Sequence, residues 1–446
     1  MAEVSGEGVE GGRAEVEVVD LCRELIRIDT SNPGDHSGPG ERVAAEYVAA
    51  KLDEVGLATQ IFESHPRRTS VVARMEGEDP SRPPLLLHGH LDVVPADAAD
   101  WSRDPFGGEI ADGCVWGRGA VDMKDMDAMI LAMVRERMRT GRRPPRDIVL
   151  AFLADEEAGG YFGAKWLVDH HPELFADCTE AVGEVGGFSF TVRDDLRLYL
   201  IETAEKGIAW MRLTATGTAG HGSMVNDDNA VTELAEAVAR LGRHRFPLRL
   251  TKTVRAFLEE VCDAFGIEFD PDDEEAVAET VARLGPIATM IGATLRNSVN
   301  PTMLRAGYKT NVIPQTATAE VDGRFLPGLE DEYFATIDEL LGPKVTRDSE
   351  RQLPAVETDF SGALVAAMAD ALKAEDPAAR AVPYCLSGGT DAKAFAELGI
   401  KGYGFAPLKL PPELNFAGMF HGIDERVPVD GLQFGVRVLN RFVDNC

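Results

Sequence analysis

The first 205 residues alternate between helical and strand periodicity, and no other feature of the chain restricts its fold as much. Val18, Leu21, Leu25 and Ile28 share one stripe and predict a helix over 14–28. A second helix follows the glycine-rich loop SNPGDHSGPG, with Ala44, Val48, Leu52 and Val55 in register and Gly56 placed to end it. Strands are predicted in SVVARMEG, PPLLLHG, DIVLAFLA, EAVGEVG and LRLYLIE. Residues 123–140, closed by Gly141, read as a long helix between two of them. This alternation predicts an α/β fold with a mixed, largely parallel sheet flanked by helices. Ligands of such sheets bind outside the carboxyl ends of the strands, which is where the polar motifs of this chain fall.

Near Lys206 the pattern changes. GIAWMRLTATG alternates like a strand with one exposed face, and helices are expected at 230–241, 254–265 and 274–284. Strands at 303–309 and 318–325 and a helix at 331–341 follow. The polar stretch TRDSERQLPAVETD comes next, with no element predicted in it. The α/β pattern then resumes through a helix at 360–373, a strand at VPYCL and a last helix at 431–443. The expected organisation is therefore a discontinuous domain, 1–205 and 353–446, interrupted by an inserted α+β domain over 206–352.

Composition excludes several classes of function. With 75 Asp and Glu against 45 Lys and Arg, the formal charge of −30 disfavours nucleic acid and anionic membranes as partners. The six cysteines contain no C-x-x-C pair, which suits reduced thiols. The acidic stretch MAEVSGEGVEGG does not resemble a signal peptide, and no apolar run reaches membrane-spanning length, so a cytoplasmic location is expected. GEGVEG at 6–11 matches a dinucleotide fingerprint but follows no strand. DPDDEE at 270–275 lacks the glycine of a calcium loop and reads as a charged helix start.

Five positions read together as a two-metal hydrolase centre: His90 in LLLHGHLDVVP, Asp122 in WGRGAVDMKD, Glu157 in LADEEAGG, Glu184 in AVGEVGG and His421 in MFHGIDERVP. Carboxylate and imidazole ligands without thiolate suit a catalytic Zn²⁺, Mn²⁺ or Co²⁺ pair better than a structural zinc. His90 and Asp92 are two apart, so extended backbone points both to one face, and Asp92 is a candidate to fix the His90 tautomer. A polar strand end is the plainer alternative. His88 is expected to point the other way and to pack or cap. Asp122 at a helix start is either an N-cap or a carboxylate bridging both metals, while Asp125 and Asp127 read as first-turn charges complementing the helix dipole. Adjacent Glu156 and Glu157 are costly after an apolar strand unless one meets a cation and the other has its pKa raised. Glu157 as ligand and Glu156 as general base satisfy both needs, and an acidic loop is the alternative.

Outside this set, His221 in TAGHGSM lies between glycines and is either a surface-loop histidine or a donor to a developing oxyanion. Asn311 in KTNVIP and Arg324 in VDGRFLPG are candidates for a substrate carboxylate, Arg324 in bidentate fashion. SGGTDAKAF, with Gly388, Gly389 and Thr390, offers a second carboxylate cradle at a helix start.

Taken in order, LLLHGHLDVVP, GRGAVDMKD, ADEEAGG, GEVGG, TAGHGS, TNVIP, DGRFLPG, SGGTDA and FHGIDE resemble the aminoacylase, succinyl-diaminopimelate desuccinylase and zinc-carboxypeptidase family of dinuclear metallopeptidases. The resemblance runs from about Leu21 to the last helix. It implies a zinc-peptidase-like catalytic domain with an inserted lid and dimerisation domain. One zinc would take His90 and Glu184, the other Glu157 and His421, with Asp122 between them and Co²⁺ or Mn²⁺ as substitutes. It further implies Asp92 as the residue orienting His90, Glu156 as base and proton donor, and His221 as oxyanion donor, in dimeric relatives from the neighbouring subunit. Asn311 and Arg324 match positions that hold a substrate carboxylate. The expected activity is amide hydrolysis of small peptides or N-acyl amino acids, by a homodimeric enzyme of carboxypeptidase or aminoacylase type. A desuccinylase or deacylase of amino-acid biosynthesis uses the same core, and a non-catalytic metal-binding scaffold is the remote alternative. The extra sequence between about 243 and 300 departs from the family pattern.

Overall fold

The computed structural model describes residues 13–35, 37–283 and 291–446. The dinucleotide-like motif at 6–11 and residues 284–290 of the extra segment lie outside them. The chain divides into two compact units. One takes the chain up to Ile201 and then Phe360–Val382 and Thr390–Cys446. The other comprises Glu202–Asp359 and Pro383–Gly389.

The first unit is built on a mixed sheet. From one edge its strands run Thr59–His65, Arg68–Met75, Ile148–Leu153, Leu85–His90, Glu180–Gly183, Lys401–Gly404 and Leu196–Glu205. Among the first three, each strand is antiparallel to its neighbour. Ile148–Leu153, Leu85–His90, Glu180–Gly183 and Lys401–Gly404 are parallel. The strands Leu85–His90 and Ile148–Leu153 are buried at every position, as expected where both faces are covered. Helices Arg13–Ile26, Lys124–Thr140, Ala363–Glu375 and Val429–Asn445 pack against one another. A separate core joins Leu86, Val149, Ala151 and Leu153 to Ala164 and Leu167 of one short helix and Ala394 and Phe395 of another. The α/β fold expected from the sequence is the one observed.

Period two places residues 86, 88 and 90 on one face of their strand. His88 accordingly lies on the side of Leu86, its ring 5.1 Å from that of Phe395, so it packs as expected, while the expectation that it points away from His90 is corrected. Gly183 makes room for it, because a Cβ there would stand 2.3 Å from the His88 ring. Gly141 adopts φ 68° at the end of the helix Lys124–Thr140, as a C-cap glycine should.

The second unit carries a four-stranded antiparallel sheet in the order Ser298–Ala306, Thr316–Phe325, Gly207–Thr216, Val345–Leu353. Alternation gives it one apolar face. Ala209, Met211, Leu213 and Ala215 join Ala317, Ala319 and Val321 there, covered by Leu234, Ala237 and Leu241 of one helix and Tyr333, Ile337 and Leu341 of another. Asn229 starts the first of these helices by accepting a hydrogen bond from the Val231 N–H. The helices Lys252–Phe265 and Glu274–Arg283 fall in the extra segment, the former capped by the Thr251 hydroxyl. The polar stretch TRDSERQLPAVETD, in which the sequence predicts no element, mostly forms the edge strand Val345–Leu353 and the short strand Val356–Glu357. An edge strand draws its hydrogen bonds from a neighbour, and polar side chains discourage further pairing at its open side. Its sequence therefore shows no apolar alternation.

Candidate metal centre

Three neighbouring parallel strands end at the same edge of the sheet and deliver most of the cluster. Leu85–His90 brings His90, Ile148–Leu153 leads into the short turn bearing Glu156 and Glu157, and Glu180–Gly183 ends beside Glu184. Asp122 and His421 arrive on loops. Asp122 does not cap the helix that follows it: the N-cap position is Met123, without a side-chain cap, and the Asp122–Met123 peptide is cis.

The Asp122 carboxylate lies between two imidazoles. His90 Nε2 is 3.1 Å from Oδ1, and His421 Nε2 is 3.2 Å from Oδ2. His90 Nε2 is also 3.5 Å from Glu184 Oε2 and 3.9 Å from Glu156 Oε2, while His421 Nε2 is 3.0 Å from Glu157 Oε2. Two groups of potential ligand atoms, His90 with Glu156 and Glu184, and His90 with Asp122 and Glu157, each converge within 4.8 Å.

The electrostatics mark this as a cation site. The His90 Nδ1–H donates to the Asp92 carbonyl at 2.9 Å, so in the neutral ring the lone pair sits on Nε2, facing carboxylate oxygen. That contact is repulsive unless a proton or a cation lies between. Burial alone would lower the His90 pKa, but Glu184 and Asp122 outweigh it and raise it well above the usual value. Asp122 and Glu157 hold His421 up to about 10. Burial pushes Glu184 up to about 7 and, with the charge of Glu184, Glu156 well above its ordinary value. Glu157 is raised by burial and then by Asp122, and its Oε1 is buried without a hydrogen-bond partner. A set of four carboxylates and two imidazoles with an orphaned buried oxygen fits divalent cations of the zinc type. Asp155 (φ 68°), Val185 (φ 56°) and His421 (φ 56°) all have positive φ, and for a β-branched valine that is rare. Such strain collects where the surroundings over-determine the backbone.

The Asp92 carboxylate lies 3.7 Å from the His90 ring and is held mainly elsewhere. Oδ1 accepts the Glu156 N–H and Oδ2 the Glu157 N–H, each at 3.1 Å. Asn32 donates to it at 2.8 Å and receives in turn from Arg68 at 2.7 Å, and Arg68 is ion-paired with buried Glu41. Asn32, Arg68 and Glu41 were invisible to sequence reasoning because they support the motifs from outside them. Asp125 and Asp127 also depart from expectation. They are 2% and 0% exposed, not solvated first-turn charges, and burial raises both pKa values well above normal.

The remaining candidates lie in other settings. In the second unit His221 and Asn311 are neighbours: His221 pairs with Val312 across a two-residue ladder, and the Gly222 N–H donates to the Asn311 carbonyl at 3.0 Å. His221 is exposed, its Nδ1 2.8 Å from the Ser223 hydroxyl. Arg324 already makes a bidentate pair with Asp322 at 2.6 and 3.0 Å. Gly388 and Gly389 are half-buried, and the Thr390 hydroxyl accepts the Ala392 N–H at the start of a five-residue helix.

Comparison with known proteins decides the family, since residues 86–445 match the family model described as Peptidase family M20/M25/M40. The chain belongs to that family. Among M20 relatives, aminoacylase-1 of Sus scrofa is 28% identical over 427 residues, covering 94% of this chain and 92% of its own. Two M20 structures share the fold. A metallo-carboxypeptidase from Sulfolobus solfataricus has a TM-score of 0.71 at 18% identity, covering 96% of this chain and 99% of its own. A dinuclear metal-binding peptidase from Bacillus subtilis has a TM-score of 0.59 at 12% identity, covering 97% and 98%. The chain is thus an enzyme of the M20 metallopeptidase and amidohydrolase group with a candidate metal-ligand cluster. No helix among the described residues is long and apolar enough to cross a membrane.

Proposed function

We propose that this enzyme uses two Zn²⁺ ions per chain to hydrolyse an amide bond in small peptides or N-acyl amino acids that carry a free carboxylate. The observation that carries this reading is the Asp122 carboxylate with one imidazole on each oxygen, at 3.1 and 3.2 Å. His90 and Glu184 would hold one ion, Glu157 and His421 the other, and Asp122 both. Co²⁺ and Mn²⁺ suit the same donors. Bound there, such a pair supplies Lewis-acid polarisation of the scissile carbonyl and acidifies the attacking water.

The remaining chemistry belongs to the chain. Glu156 lies within reach of His90 Nε2 but outside the tight Asp122 contacts, and its raised pKa suits a carboxylate that takes a proton from water and returns it to the departing amine. Asp92 keeps Glu156 and Glu157 in fixed relation through their backbone N–H groups. His221 is assigned to the oxyanion, from this chain or from a second copy in a homodimer formed through the inserted unit. Asn311 and Arg324 are assigned to the substrate carboxylate, for which the ligand would have to compete with Asp322. Gly388, Gly389 and Thr390 are assigned to a second carboxylate cradle.

Free-amine release from dipeptides, N-acetyl and longer N-acyl amino acids and N-succinyl amines, measured with Zn²⁺ and with a chelator, tests this reading. Chelator-sensitive turnover of peptides or N-acyl amino acids is the expected result. Turnover confined to N-succinyl amines would move the assignment to a biosynthetic desuccinylase. A metal-loaded protein that hydrolyses none of them would overturn the proposal.

A further inference from the structure

Glu425 lies four residues beyond His421 and is completely buried. Its carboxylate accepts four hydrogen bonds from one short stretch of chain. Oε1 takes the N–H groups of Val121 at 2.6 Å and Asp122 at 3.1 Å. Oε2 takes the Gly119 N–H at 3.1 Å and Arg118 Nη1 at 2.8 Å. Arg118 Nη2 then donates to the Gly422 carbonyl at 2.8 Å, and the Gly117 N–H to the Glu425 carbonyl at 3.0 Å. The turn 117–122, which ends in Asp122, is thereby fastened to the loop 421–425, which begins with His421.

His421 needs such a fastening. His90 is 1% exposed at the end of a central strand, whereas the His421 side chain is 57% exposed and its backbone sits at φ 56°. Packing cannot fix a ring so open to solvent. Its distance to Asp122 depends on how its loop is tied, and the buried acceptor best placed to tie it is Glu425. Satisfied charge-assisted hydrogen bonds in a buried site are strong and directional. From the outer side the Asp424 carboxylate also holds the loop, accepting the Ser102 N–H at 2.8 Å and the Ser102 hydroxyl.

We propose that Glu425 and Arg118 form a positioning clamp that sets the spacing of Asp122 and His421. The clamp thereby acts most on the ion held by Glu157 and His421; the ion held by His90 and Glu184 shares Asp122 but draws its other ligands from the strand ends. The inference rests on the two-ion reading above. Neither clamp residue is among those assigned to substrate or ion. Supporting groups around metal ligands typically change affinity by about 10–100-fold when altered.

The test is a zinc titration of metal-depleted protein against a chromophoric chelator, with bound metal counted by elemental analysis and folding followed by circular dichroism. Wild-type protein is expected to bind two ions per chain. Glu425→Gln preserves shape but turns an N–H₂ group toward backbone N–H donors. It should weaken the ion held by Glu157 and His421 about 100-fold and the other, which shares Asp122, by a clearly smaller factor. Arg118→Lys keeps the charge and loses the fork to Gly422, and should weaken the same ion about tenfold. Excess Zn²⁺ should restore turnover in both. A residue needed only for folding would lower the melting temperature of metal-free protein without separating the two affinities. Both affinities unchanged, or both falling by one factor, overturns the clamp. If Glu425→Gln does not fold, Arg118→Lys decides alone. A wild-type protein that binds a single ion would instead overturn the two-ion reading.

Discussion

His90 and His221 are both assigned to chemistry, and the chain treats them in opposite ways. His90 is buried, with one ring nitrogen on the Asp92 carbonyl and the other among carboxylates. His221 stands exposed between glycines with a neighbouring serine hydroxyl as its partner. The contrast extends to their units. The first holds Asp122, Glu156, Glu157 and Glu184 in a fixed cluster, whereas the second offers His221, Asn311 and Arg324 from hairpins and strand ends near solvent. Groups that must bind a cation are pre-organised at a cost in electrostatic strain. Groups assigned to substrate keep polar partners, Ser223 for His221 and Asp322 for Arg324, that a ligand would have to displace.

That contrast can be broken experimentally, most forcefully at the base. Glu156→Gln should retain both ions and lose about 10³-fold in kcat, read by steady-state kinetics beside metal analysis; turnover near wild type would remove Glu156 from its role. His221→Ala should cost about 10²-fold in kcat with metal content untouched. A loss of metal in that variant would erase the distinction between the two regions. Asp376 sharpens the comparison as a buried acid whose needs are fully met. Arg197 binds it through both Nε and Nη2 at 2.5 Å, and the Tyr199 hydroxyl donates at 2.9 Å. Despite burial, these partners hold its carboxyl down to about 2. A depressed carboxyl stabilises the fold above its unfolded value near 4 and ceases to do so as pH falls toward 2. Asp376→Asn should therefore lower stability by about 2 kcal/mol at neutral pH, with the difference from wild type shrinking between pH 4 and 2 and kcat unchanged. Denaturant melts at several pH values provide the check. The smallest effect is expected at Arg324, where release from Asp322 offsets part of any gain from substrate. Arg324→Ala should raise KM about tenfold and leave kcat nearly alone; a pure kcat effect would place Arg324 at the reacting atoms.

The sequence was most informative where an apolar run met a polar residue at a strand end. His90, Glu156, Glu157 and Glu184 follow fully or largely buried parallel strands, so periodicity located both the sheet and the edge where the cluster forms. The roles of supporting residues left less trace. Asp92 was legible as a partner of His90, but the backbone N–H groups that it and Glu425 accept come from distant segments, an interaction with no preferred spacing and no required partner type. Arg68 and Asn32 lie outside the motifs altogether. The edge strand Val345–Leu353 was missed because its polar sequence shows no apolar alternation. Asp125 and Asp127 were misread because helix position signals a charge near the dipole but says nothing about which face is covered.

One consequence follows from the Asp92 carboxylate holding the N–H groups of Glu156 and Glu157 on its two oxygens. The proposed proton carrier and the adjacent ion ligand share a single anchor, so neither can be re-aimed without dragging the other. A lineage built on this arrangement inherits acid–base chemistry and ion placement as one indivisible trait. Variation in what is cleaved is then pushed outward, to the exposed hairpins and strand ends where residues can change one at a time.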